Sequence, residues 1–178
     1  MLKKYFHLIL LPLLVIGLSS CQTQMNNAME AKYKDVAVKV EHLFDNGNVN
    51  ELDNYITENA VDHQIDTSMS KKPGLAGVKE MFSKMQKIFP DLHTTIHSVA
   101  ASGDTVFVYA TSTGTTSEPF MGMPANTKAS WSGVDVMRFE GDKIAEHWGF
   151  MDVNEIMKMM QSQQEMGSNK SMMGKKKM

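Results

Sequence analysis

The chain has 178 residues, is 42% hydrophobic and 21% charged, and carries a formal net charge of −2. That length suffices for one domain with its own core, and the near-balanced charge excludes nucleic-acid binding through a bulk basic field. The single cysteine, Cys21, excludes an internal disulfide.

The N-terminus reads as a targeting segment. Lys3 and Lys4 precede an apolar run from Tyr5 to Gly17, too short for a comfortable membrane span. The run ends in Leu18-Ser19-Ser20-Cys21, which resembles a bacterial lipobox with Cys21 as the lipidated first residue of the mature chain. The alternative is an ordinary secretory signal with an incidental cysteine. Residues 1–20 are therefore expected to be a lipoprotein signal peptide and residues 21–28 a polar tether. Removing the signal takes away two lysines and turns the net charge from −2 to −4. Gln22 follows the cysteine, which by resemblance to Gram-negative lipoproteins favours a lipid-anchored place in the cell envelope, at the outer membrane and facing the periplasm.

From Met29 the apolar residues Tyr33, Val36, Ala37, Val40, Leu43 and Phe44 recur at helical spacing, ending at Asp45-Asn46-Gly47-Asn48. Glu51 to Thr57 suits one or two further helical turns, and Ala60 to Ile65 alternates as a short strand. Gly77 to Phe89 predicts a second amphipathic helix, stopped by Pro90. The period then changes to two. Strands are expected over His93–Ala101, Thr105–Thr113, Thr127–Phe139 and Lys143–Asp152, the last two joined by a tight turn at Glu140-Gly141-Asp142. Between the second and third of these lies a long connection, Gly114 to Asn126, of the kind that often forms a lid or binding loop. Val153 to Gln161 suits a last short helix. Residues 162–178 have no period and a methionine- and lysine-rich composition, so a disordered tail is expected. Helices followed by a strand meander imply an α+β domain over residues 29–161, with helices on one face of a curved antiparallel sheet.

Candidate site residues follow from strand parity. In a regular last strand Ile144, Trp148, Phe150 and Asp152 share one face, and Ala145, His147 and Met151 the other. A carboxylate beside Trp148 and Phe150 would have a raised pKa and could act as a general acid/base; Asp152 is equally suited to capping the helix that follows. His147, opposite Trp148, is placed on the surface or a dimer face. His63 either points into a cavity or is a core histidine satisfied by a carbonyl. Phe120, Tyr109 and Trp131 are candidate cavity walls. His93 and His97 would lie about 13 Å apart on a strand, too far for one ion, so no metal site is expected. The methionines of the last helix and tail read as adaptable filler, with Cu(I) binding as the alternative.

Several stretches together resemble the SnoaL-like polyketide cyclases, or ester cyclases, of the nuclear transport factor 2-like superfamily. They are Asp62-His63, Pro73-Gly74 with Gly77, Phe89-Pro90-Asp91-Leu92, Gly103-Asp104-x-Val106, Gly114-Thr115, Phe120-Met121-Gly122-Met123-Pro124, and the run from Arg138-Phe139 through Gly141, Lys143-Ile144 and Trp148 to Asp152. The resemblance implies a cone-shaped curved sheet wrapped around a cavity, a cofactor-independent aldol-type ring closure, and Asp152 as its acid/base, with His63 assisting. It also implies a small hydrophobic or carbonyl-containing ligand and pairing into a homodimer. Thr116 stands where many relatives have a histidine. A non-catalytic binder of a small hydrophobic ligand is the competing expectation.

Overall fold

The computed structural model describes residues 6–64, 68–152 and 154, with side chains from Gln24 onward except that of Asn46. The short helix expected at 153–161, the tail 162–178 and the side chain of Cys21 lie outside the described residues. Helix α1 spans Phe6–Asn46, α2 spans Gly74–Ile88, and a short 3-10 turn covers Val49–Asn54. The strands are β1 (Ile56–Asp62), β2 (His93–Ser102), β3 (Thr105–Thr115), β4 (Lys128–Glu140) and β5 (Lys143–Met151).

α1 begins well before Met29, and the segment expected to be a tether is helical and exposed from Gln24 to Met29. Burial starts at Tyr33 and continues through Val36, Ala37 and Val40, so the packed part of α1 is the part with the apolar stripe. Among the described residues no helix is long and apolar enough to cross a membrane. α2 buries Val78, Phe82, Met85 and Ile88 on one stripe. Phe89 follows it at 1% exposure, and Pro90, with no N–H to offer, prevents continuation.

The five strands form one sheet in the order β1-β5-β4-β3-β2. β2 to β5 make the expected antiparallel meander, while β1 adds to the far edge parallel to β5. The fold is thus the expected α+β arrangement, with helices packed on a curved sheet. Alternation places Val106, Val108, Ala110 and Ser112 of β3 and Met137 and Phe139 of β4 on the helix-covered face, where all are buried. Phe139 stacks on Tyr33 at 4.3 Å, and the Tyr33 hydroxyl donates to the carbonyl of Gly141 at 3.0 Å. This contact fastens α1 to the β4–β5 hairpin, whose two-residue turn uses Gly141 at φ +59°. A second cluster of Met85, Ile88, Phe89, Leu92 and Met123 closes the other end. Each large side chain so buried contributes about 1.5–3 kcal/mol of transfer free energy.

The opposite face of the sheet is open. Phe107, Tyr109 and Phe150 are 41%, 44% and 60% exposed there. β3 is therefore covered on one side.

The connection between β3 and β4 is more ordered than its sequence suggests. Phe120 and Met123 pair across a two-residue turn in which Met121 (φ 45°) and Gly122 (φ 82°) both take positive φ. Thr116, buried to 1% exposure, holds the base of this loop. Its hydroxyl donates to the carbonyl of Pro124 at 2.7 Å and accepts the N–H of Thr127 at 2.9 Å.

Candidate active site

The two core clusters leave a cavity of about 350 Å³ between the helices and the sheet. Its wall is mostly apolar, with Phe44, Phe82, Phe89, Phe120 and Trp131 beside methionines from α2, β4, β5 and the β3–β4 loop. Exposed Val61, Gln64, Met121 and Phe150 stand at its rim.

Five titratable side chains from four elements line this cavity: Glu41 of α1, Asp62 of β1, Asp135 of β4, and Glu146 and His147 of β5. Register explains three of them. Asp62 and His147 are direct partners across the parallel β1–β5 pair, and His147 is the antiparallel partner of the buried Met137. Asp135 lies two residues before Met137 and so shares its face. Glu41 lies one helical turn beyond the fully buried Ala37.

His147 bridges the two aspartates. Its Nδ1 is 3.2 Å from Asp62 Oδ2 and its Nε2 is 3.0 Å from Asp135 Oδ1. Burial opposes the charge on the ring, but hydrogen bonds to Asp135 and Asp62 and the charges of both carboxylates outweigh it and push its pKa up to about 10. The imidazole is thus a cation at neutral pH and donates from both nitrogens. Asp62 is further held by the backbone N–H of Gln64, which donates to Oδ1 at 2.8 Å.

Glu41 experiences the reverse. Burial, helped by the negative charges of Asp135 and Asp45 and opposed by His147, raises its pKa from 4.5 to about 8. It is a neutral carboxylic acid at pH 7. Asp135, at 28% side-chain exposure, lies 3.0 Å from the imidazolium. One apolar cavity therefore presents two carboxyl groups in unlike settings, one beside a cation and one buried as a neutral acid, the arrangement that separates a base from a proton donor.

The residues expected from sequence are distributed differently. Phe120 and Trp131 line the cavity. Trp148 does not: it lies on the open face and stacks on His63 at 4.5 Å between ring centroids. His63 is exposed, and its Nε2 is 3.1 Å from Glu146, a carboxylate that Arg138 also holds. Tyr109 is on the open face against His97 at 4.9 Å. Asp152 is exposed beyond the end of β5, where its Oδ1 accepts the N–H of Asn154 at 2.7 Å, the capping arrangement.

The parity reading of β5 thus needs correction, and a β-bulge is the cause. Phe139 pairs with Ile144 but Arg138 pairs with Glu146, so Ala145 is an extra residue opposite no partner. Beyond it the faces exchange. His147 turns inward and Trp148 outward.

Among the described residues no group of three or more His, Cys, Asp or Glu has the geometry to hold a metal ion. Both ring nitrogens of His147 are already engaged by carboxylates.

The family profile of SnoaL-like polyketide cyclases matches residues 34–160, most of the chain. The chain belongs to the SnoaL-like polyketide cyclase family. Solved structures agree. One is similar at 25% identity and a TM-score of 0.62: a protein of Acidithiobacillus ferrooxidans assigned as a polyketide cyclase, with 74% of this chain and 95% of that chain covered. TsrD from Streptomyces laurentii is similar in fold at 19% identity and a TM-score of 0.63, over 72% of this chain and 94% of its own. A SnoaL-like polyketide cyclase from Agrobacterium tumefaciens is similar in fold at 19% identity and a TM-score of 0.60, over 72% and 97%. No curated protein sequence matches the chain. Thr116, where the resemblance implied a histidine, closes with its hydroxyl the loop that carries Phe120 and Met123.

Proposed function

We propose that this SnoaL-like protein is a cofactor-independent cyclase or isomerase acting on a small, largely apolar carbonyl compound. The observation that carries the reading is the pair of carboxyl groups facing one apolar cavity in unlike settings, Asp135 held 3.0 Å from His147 and Glu41 buried with its pKa pushed up to about 8. Asp135 takes a proton from the carbon next to the substrate carbonyl. The Glu41 carboxylic acid donates a hydrogen bond to the carbonyl oxygen as negative charge develops there. The resulting enolate either attacks a second carbonyl within the same molecule, closing a ring, or is reprotonated at a different carbon. His147 and Asp62 are positioning residues: the imidazolium fixes Asp135 and Asp62 fixes the imidazolium. The acid/base role expected of Asp152 and His63 is moved to Asp135 and Glu41, because the latter pair lines the cavity and the former does not.

Proton abstraction is measurable without the natural substrate. The wild-type chain is expected to accelerate deuterium uptake into the methyl group of acetophenone in deuterated water, followed by NMR. Asp135→Asn should lower that rate about a hundredfold or more while the circular dichroism spectrum is kept. Undiminished exchange by a folded Asp135→Asn protein, or no acceleration by the wild type, would sink the proposal.

A non-catalytic binder of a hydrophobic ligand is the second reading. Its support is the wall of flexible methionines, which adapts to ligands of different shape.

The place of action we propose is the periplasmic face of the outer membrane, through lipid on Cys21, on the strength of Leu18-Ser19-Ser20-Cys21 and Gln22. Cys21→Ser should move the protein from the membrane pellet to the soluble fraction of a Gram-negative host; pelleting that is unaffected would count against the anchor.

A further inference from the structure

The charges around the cavity carry information about the ligand that the proposed chemistry alone does not. Four carboxyl groups, Glu41, Asp62, Asp135 and Glu146, line the cavity with one imidazole, and among the described residues no lysine or arginine lines it. Arg138 is on the open face and is held by Glu146, and the Lys84 ammonium is spent on the backbone carbonyl of Met69. With His147 protonated and Glu41 neutral, the polar end of the cavity has a net negative charge. A ligand carboxylate or phosphate placed there would meet Asp135 with, among the described residues, no lysine or arginine to receive it, an unfavourable burial of charge.

Glu41 provides an independent pointer. It is 8% exposed and lines the cavity. A carboxyl group so buried is stabilised by any donor or cation that reaches it. It is also placed to receive a donor from a bound molecule. The remainder of the wall is aromatic and thioether, which suits an apolar body.

We propose that the cavity selects small amphiphiles with a protonated amine head over the alcohol, and the alcohol over the carboxylate, of the same apolar body. The ammonium group lies between Asp135 and Glu41, with the apolar body among the methionines and aromatic rings. The assignment goes beyond the proposed function: the amine occupies the same cavity and, by ionising Glu41, competes with the carbonyl substrate instead of being it.

The ammonium also alters its host. Glu41 is flanked by Asp45 on its own helix, Asp135 on β4 and His147 on β5, and Asp62 and Glu146 complete the charged groups around the cavity. A cation arriving beside Glu41 favours its ionised form, so the carboxyl proton is released to solvent as the amine binds.

Titration calorimetry of the full chain at pH 7 with nonylamine, nonanol and nonanoate tests this. The expected result is one site per chain, with the amine about a hundredfold tighter than the carboxylate and the alcohol between them. Repeating the amine titration in buffers of different ionisation enthalpy should show proton release that the alcohol does not cause. Glu41→Gln should abolish the release and weaken the amine about tenfold. Nonanoate binding as tightly as nonylamine, or none of the three binding, overturns the proposal. Its fate is separable from that of the catalytic reading. Amine preference with no acetophenone exchange leaves the charge selection standing and removes the chemistry; exchange without amine preference does the reverse.

Discussion

His147→Gln should destabilise the protein by on the order of 3 kcal/mol at pH 7, the loss typical when one partner is removed from a buried ion pair. The side chain is 21% exposed and lies between two carboxylates, one of them 7% exposed. Glutamine fills similar space but leaves Asp62 and Asp135 without the cation that makes their proximity tolerable. The pH dependence has a definite sign. The imidazole has a pKa of 6.5 when unperturbed and about 10 in the fold. Its contribution is therefore complete below pH 6.5 and is lost as pH rises through about 10. Wild-type stability attributable to this residue should decline across that window, and the variant should lack the decline. Urea midpoints at pH 7, with thermal scans from pH 6 to 10, read both effects. A variant with the wild-type midpoint at pH 7 would show that the triad is not an energetic unit.

Glu41→Gln should do the opposite, stabilising the chain at alkaline pH while impairing the site. Glu41 retains its proton in the fold up to about pH 8, although an unperturbed glutamate ionises at 4.5. For an acid whose pKa is raised, the native state binds more protons than the unfolded chain, and stability falls as pH rises from 4.5 through 8. Glutamine has no proton to lose. The variant should match the wild type near pH 4.5 and exceed it above pH 8, by on the order of 5 kcal/mol. Chemical denaturation at the two pH values measures the difference; an identical pH profile for the two proteins would contradict a neutral Glu41. A residue that destabilises its fold in this way fits a group kept for function.

The two variants probe the part of the molecule that was hardest to read. The helical stripe of α1, the Gly141 turn and the alternation of β3 and β4 are local patterns, and each appears in the structure close to where its residues place it. The face of β5 is different. Alternation fixes which residues oppose one another but not which set faces inward. One extra residue at Ala145 reverses the assignment, and nothing in Lys143-Ile144-Ala145-Glu146 marks a bulge. Asp135 carried a usable signal. It alternates in phase with Trp131, Met137 and Phe139, so a carboxylate on an apolar face was visible in the sequence. Glu41 carried one too, four residues after Ala37 on the buried stripe. Asp62 was overshadowed by His63, its neighbour, which points to the opposite face of β1. Partnership among these groups was not legible, because it depends on β1 pairing in parallel with the last strand across a large separation in sequence.

That parallel pairing has a consequence for the order in which the protein is made. Asp62 leaves the ribosome long before His147, and every strand between them must emerge before β1 can take its place beside β5. An incomplete nascent chain therefore presents Asp62 without its cation and β1 as an unpaired edge. The ion triad closes only when synthesis has delivered the final strand, so the same contact that shapes the cavity also distinguishes a finished chain from a truncated one.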